Sequence, residues 1–182
     1  MSDLEEQKPG VSRRTVTKAM AWSVPVVALA VPTPAYAASP GVIELSGLGC
    51  KLPGNSQDTF KGYAFRASIQ NTTNAQVTVT ITDMDLGTSD LGDVGIIDLN
   101  TCTLLGTNTF VIPANTTLSN VALVTENAAT SENGALIVQY TVEGVPDTAS
   151  ATADGLPPIQ GNTCEENVFS ATERTCINSI VA

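Results

Sequence analysis

Along residues 61–70, Tyr63, Phe65, Ala67 and Ile69 point to one side while Arg66, Ser68 and Gln70 point to the other. After Asn71-Thr72-Thr73-Asn74 the alternation resumes, with Val77, Val79 and Ile81 set between Thr78, Thr80 and Thr82. An extended chain places alternate residues on one face, whereas a helix of about 3.6 residues per turn scatters them. One apolar face and one wet face mark an antiparallel, half-buried strand. Asn bonds its own turn and tolerates left-handed backbone, so these two runs are expected to pair as a hairpin.

Further short β-type runs lie at residues 42–48, 94–99, 102–105, 109–112, 118–125, 135–142 and 148–153. In residues 135–142, Leu136, Val138, Tyr140 and Val142 are expected to face inward. Seven to nine short strands at spacings of about 8–12 residues predict an all-β sandwich or barrel. Helical periodicity beyond residue 37 is confined to a brief stretch within 165–174. The strand–Asn71-Thr72-Thr73–strand opening and the lead Ile112-Pro113-Ala114-Asn115-Thr116-Thr117 resemble immunoglobulin-like modules of bacterial surface proteins. The resemblance spans most of residues 42–145 and implies a single antiparallel immunoglobulin-like sandwich. An antibody-type domain places a Trp beside its disulfide, but the one Trp here is Trp22.

The first 37 residues have another character. Lys8, Arg13, Arg14 and Lys18 precede an apolar run at 19–31, and Ala35-Tyr36-Ala37 follows Pro32 and Pro34. A basic start, an apolar run of about 7–15 residues and an A-x-A site define a secretory signal peptide, here cleaved after Ala37. The run is shorter than the roughly 20 residues of a membrane span, so no stable span is expected after cleavage. Ser12-Arg13-Arg14-Thr15-Val16-Thr17-Lys18 resembles the twin-arginine export motif. Ser12, Arg13, Arg14 and Lys18 match it, while Val16 and Thr17 stand where the motif has Phe and Leu. The resemblance implies export in the folded state, with the twin-arginine translocase and signal peptidase as partners. Paired arginines are an address and not an anchor. Signal and sandwich together resemble exported proteins of actinobacteria.

Cleavage leaves residues 38–182, a length that suits one domain: a sandwich core over 38–155 and a C-terminal segment of the same domain over 156–182. Of 18 acidic and eight basic residues, three and four respectively precede Ala38, so the remainder carries a net charge of −11. Such a field opposes nucleic acid and anionic lipid, whose binding needs Lys and Arg against phosphate. Cys50, Cys102, Cys164 and Cys176 all lie in the exported part. An even count in an extracellular chain predicts disulfides, with three connectivities open. The pairing Cys50–Cys102 and Cys164–Cys176 is the expectation, the second pinning the C-terminal segment through a short loop. Zinc is disfavoured, because the chain holds no Cys-x-x-Cys and no His.

The densest chemical feature is the acidic run over residues 83–93. Asp83, Asp85, Asp90 and Asp93 are hard oxygen donors broken by Gly87 and Gly92, a pattern that suits calcium. The spacing is not that of an EF-hand, and the rival reading is a solvated loop of turn formers. No other cofactor is expected. Without His no Ser-His-Asp or Cys-His arrangement can be assembled. A glycosidase-type carboxylate pair, Asp83 with Asp85, remains conceivable, but six aromatic residues after Ala37 leave little to line a sugar site. Asn71 and Asn115 match Asn-x-Thr sites and are read as turn residues. The sequence therefore points to a secreted or cell-surface, non-enzymatic structural or adhesion-type module with a protein or envelope partner. A calcium-dependent binding module and a carboxylate hydrolase are the alternatives.

Overall fold

The computed structural model describes residues 42–52, 60–127, 134–156, 164 and 168–181, all within the unit Ala38–Ala182. Residues 1–37, where an export signal is expected, with Arg13, Arg14, Lys18, Ala35 and Ala37, lie outside the described residues. Among the described residues ten strands follow one another: β1 Ile43–Lys51, β2 Tyr63–Asn71, β3 Val77–Leu86, β4 Ser89–Asp90, β5 Val94–Asp98, β6 Thr103–Thr107, β7 Thr109–Ile112, β8 Thr116–Thr125, β9 Gly134–Val142 and β10 Val145–Ala153. The helix α1 spans Ala171–Val181. The first sheet runs β1-β2-β8-β5-β6, and the second runs β10-β9-β3-β4 with β7 also on β3. All pairings are antiparallel. The fold is an all-β sandwich, as the alternation predicted.

The inward faces are those read from the sequence. Tyr63, Phe65, Ala67 and Ile69 from β2 meet Val77, Val79 and Ile81 from β3 and Leu136, Val138 and Tyr140 from β9 in one buried cluster. Val142 packs at its margin.

The expected hairpin is corrected. β2 and β3 belong to different sheets, and residues 72–76 carry the chain across the sandwich. Asn71 makes this crossing possible. Its Nδ2 donates to the carbonyls of Ala75 (2.8 Å), Ile112 (3.2 Å) and Pro113 (2.9 Å), while its Oδ1 accepts from the amide and hydroxyl of Thr73. Asn71 is buried, and its amide holds two turns at one end of the sandwich. Asn115 sits exposed in the second of them, at a φ of 50°. Both residues are turn formers, as expected. Gly47 fills a comparable need where β1 bulges over β10. Its φ is 74°, and a Cβ there would lie 2.2 Å from the Thr152 carbonyl oxygen.

The outer face of the first sheet is not simply wet, and this corrects the two-faced reading of β2. A second buried cluster joins Cys50, Ala64, Ile97, Leu99, Ala122 and Val124 to Val168, Phe169, Ile177 and Val181. The C-terminal segment thus forms a third layer, which explains why all of β5 and the run Val121–Thr125 are buried on both faces. Helix α1 begins later than the predicted 165–174 stretch. Ser170 is its cap: the Ser170 amide donates to Glu173 Oε2 (2.7 Å), and the Glu173 amide donates to Ser170 Oγ (3.4 Å). That reciprocal Ser-x-x-Glu pair satisfies two amides that a helix start leaves open.

The disulfides are Cys50–Cys164 and Cys102–Cys176, so the expected pairing is corrected. Cys50 is on β1 and Cys102 in the turn after β5. These strands are three places apart in the sheet, or about 14 Å at about 4.8 Å per strand. A disulfide needs Cα atoms within about 7 Å. The observed Cα separations are 5.9 and 5.6 Å. The C-terminal segment lies across the outer face and is stitched near both edges. Neither bridge joins the two sheets through the core, as the disulfide of an antibody domain does.

Arg66 fastens the same segment between the stitches. Its Nε donates to the Val168 carbonyl (2.7 Å), its Nη1 to Asn120 Oδ1, and its Nη2 to Glu173 Oε2 (2.8 Å). The guanidinium also lies 5.0 Å from the centre of the Phe169 ring. Burial pushes the Glu173 carboxyl pKa up, but the Ser170 amide, Asn120 and Arg66 outweigh it and hold the pKa below its ordinary value. A lowered carboxylate pKa stabilises the fold above the unfolded value, near 4.3, and the gain disappears as pH falls through the folded value. Amide protection of helix α1 is therefore expected to be greatest at neutral pH and to weaken as pH falls below the ordinary carboxylate range. Hydrogen exchange, corrected for intrinsic rates, checks this; protection unchanged down to pH 2 contradicts it.

Candidate functional site

The acidic run is partly strand, not a simple loop. Asp83 and Asp85 lie on the outer face of β3, Asp90 ends β4, and Asp93 precedes β5. β4 folds back on β3, placing Asp90 opposite Asp85. A register shift between Ile81 and Asp83 changes the phase of β3, so that Met84 and Leu86 follow Val77, Val79 and Ile81 into the core while Asp83 and Asp85 turn outward.

Three of the four predicted ligands share a cleft. Asp83, Asp90 and Asp93, with Ile81, Thr82, Gly92 and Asn108, line an open cavity of about 190 Å³. Asp85 stands outside this lining. Each lining carboxylate has a partner: Gln139 Nε2 donates to Asp83 (3.3 Å), the Gly92 amide to Asp90 (2.7 Å), and Asn108 Nδ2 to Asp93 (2.7 Å). Asn108 joins β6 to β7 at a φ of 57°, and its Oδ1 accepts from the Val94 amide (2.7 Å). Sequence reasoning missed Asn108 and Gln139, which reach the aspartates only through folding. Among the described residues, no group of three or more His, Cys, Asp or Glu side chains is arranged to hold a metal ion.

The Asp85 pKa is raised, first by desolvation and then by the neighbouring Asp83 and Asp90 carboxylates. A raised carboxylate pKa means that the ionised form works against folding at neutral pH, and that acid relieves the penalty. Asp85→Asn is expected to raise Tm slightly at pH 7 and to leave it unchanged at pH 3. Thermal unfolding at the two pH values checks this, and a lower Tm at pH 7 contradicts it.

No protein-family model, curated protein or solved structure matches this chain.

Proposed function

We propose that this chain is an exported precursor whose sandwich acts outside the cytoplasm as a non-enzymatic structural or adhesion-type module. On this reading residues 1–37 are the twin-arginine signal, and signal peptidase cuts after Ala37. The observation that carries the proposal is the pair of disulfides stitching the C-terminal segment to the sandwich. Such bridges belong to oxidising compartments. Partner contact falls to loops or to an exposed strand edge. Residues 99–125 carry no charged side chain in a chain with 18 acidic residues, and they include the edge strand β6, with Leu104 exposed. An uncharged edge offers its backbone to a partner strand with little repulsion.

The test is fractionation of a bacterial host that expresses the full chain. Wild type is expected in the envelope or medium, and Arg13→Lys with Arg14→Lys is expected to hold it in the cytoplasm. Envelope retention favours the structural or adhesive role, and release to the medium favours a diffusible binder. A wild-type chain found uncleaved in the cytoplasm contradicts the proposal.

The cleft lined by Asp83, Asp90 and Asp93 favours a second reading, calcium-dependent binding. It requires that millimolar calcium raise Tm and that Asp83→Asn with Asp93→Asn remove the rise. Hydrolysis of a glycan panel, lost in Asp83→Asn with Asp85→Asn, would support the carboxylate-hydrolase alternative instead.

A further inference from the structure

The two disulfides differ in access. Cys50 is 0% and Cys164 1% exposed, so that bridge is sealed within the cluster beneath the C-terminal segment. Cys102 is exposed, in the turn between β5 and β6 at a φ of 52°, while its partner Cys176 is 7% exposed in the middle of α1. Thiol–disulfide exchange requires a thiolate to reach one sulfur of the bridge, and only the second bridge has a cysteine at the surface.

We propose that Cys102–Cys176 is a thiol-exchange site: a dithiol reductant opens it selectively and releases helix α1, while the sandwich and Cys50–Cys164 stay intact. The attacking thiolate bonds to Cys102 Sγ, and the electron pair of the S–S bond leaves with Cys176 Sγ, which takes a proton. The reductant's second thiolate then displaces Cys102 Sγ, which is protonated in turn. Two electrons pass to the protein, and the reductant departs as its own disulfide.

The layered core makes the release local. The cluster between the sheets contains no cysteine and no residue of α1, so opening the bridge leaves the packing between the two sheets untouched. Ile177 and Val181 belong to the separate outer cluster, with Ile97, Leu99 and Ala122. Among the described residues, the one buried side-chain polar atom without a hydrogen-bond partner is Asn178 Oδ1, also on α1. Release returns that oxygen to water. The start of the helix stays tethered, because Arg174 Nη1 donates to the Cys164 and Phe169 carbonyls (both 2.8 Å). The helix therefore acts as a hinged latch over the outer face of the first sheet.

The test treats the folded full chain with dithiothreitol without denaturant, quenches with iodoacetamide at intervals, and maps alkylated peptides. Cys102 and Cys176 are expected to react on the order of tenfold or more faster than Cys50 and Cys164. β-sheet circular dichroism should persist, with loss of hydrogen-exchange protection confined to residues 175–181. Both bridges opening at one rate, collapse of the sheet signal on opening, or unchanged protection of α1 overturns the proposal. Cys102→Ser with Cys176→Ser provides a second measurement. It is expected to keep the Cys50–Cys164 bridge and the sheet signal while residues 175–181 exchange freely, and an unfolded or fully protected variant overturns the latch.

Discussion

Asn71→Asp is expected to destabilise the domain by about 4 kcal/mol or more, a size reserved for buried polar groups left without partners. The substitution keeps the volume but replaces an NH₂ donor with an acceptor, facing the carbonyls of Ala75, Ile112 and Pro113. Asn71 is 3% exposed, so water offers little compensation. The damage should ease as pH falls, because a protonated Asp can donate one of the lost bonds and no longer carries a buried charge. Urea unfolding at pH 7 and pH 4 measures both effects. A loss below about 1 kcal/mol at pH 7, no more than that of an ordinary surface change, would contradict the bracing role of Asn71.

Arg66→Ala is expected to cost about 3 kcal/mol, mainly by loosening the C-terminal segment. It removes donors to Val168, Asn120 and Glu173, together with the stack on Phe169. The Arg66–Glu173 pair is partly wet, with side chains 24% and 15% exposed, which keeps the figure below that of a sealed ion pair. Asn120 and the Ser170 amide still hold Glu173, and both disulfides remain. Hydrogen exchange should therefore rise across α1 far more than in β9. Uniform acceleration over the whole domain would show that Arg66 supports the sandwich itself.

These two residues mark where sequence reading stops. Period two in β2 showed which side chains turn inward, because alternation is a property of one strand. It carried no information on which strand lies alongside, so the five-residue connection after Asn71 read as a hairpin when it crosses between sheets. Arg66, Ser68 and Gln70 read as a wet face, and β2 alone could not reveal the third layer. The clue lay elsewhere. Val94–Asp98 and Val121–Thr125 lack the polar alternation of a half-buried strand, as expected of strands covered on both sides. Ser170-x-x-Glu173 likewise announced the start of the covering helix.

The cysteine pairing was beyond spacing arguments, since it follows from the order β1-β2-β8-β5-β6. The acidic run shows both sides of the problem. Asp83, Asp90 and Asp93 were recognised from their density and do line one cleft, but Asp85 was not separable from them by sequence. Asn108 enters from the bend between β6 and β7, and Gln139 from β9.

Intact mass of the natural protein from culture medium, envelope and cytoplasm, before and after reduction and followed by non-reducing peptide mapping, tests the account most directly. The account predicts a chain beginning at Ala38 and lighter than its reduced form by the four hydrogens of two disulfides, with Cys50 linked to Cys164 and Cys102 to Cys176. A chain beginning at Met1 in the cytoplasm with four free thiols would contradict both the export reading and the stitched third layer.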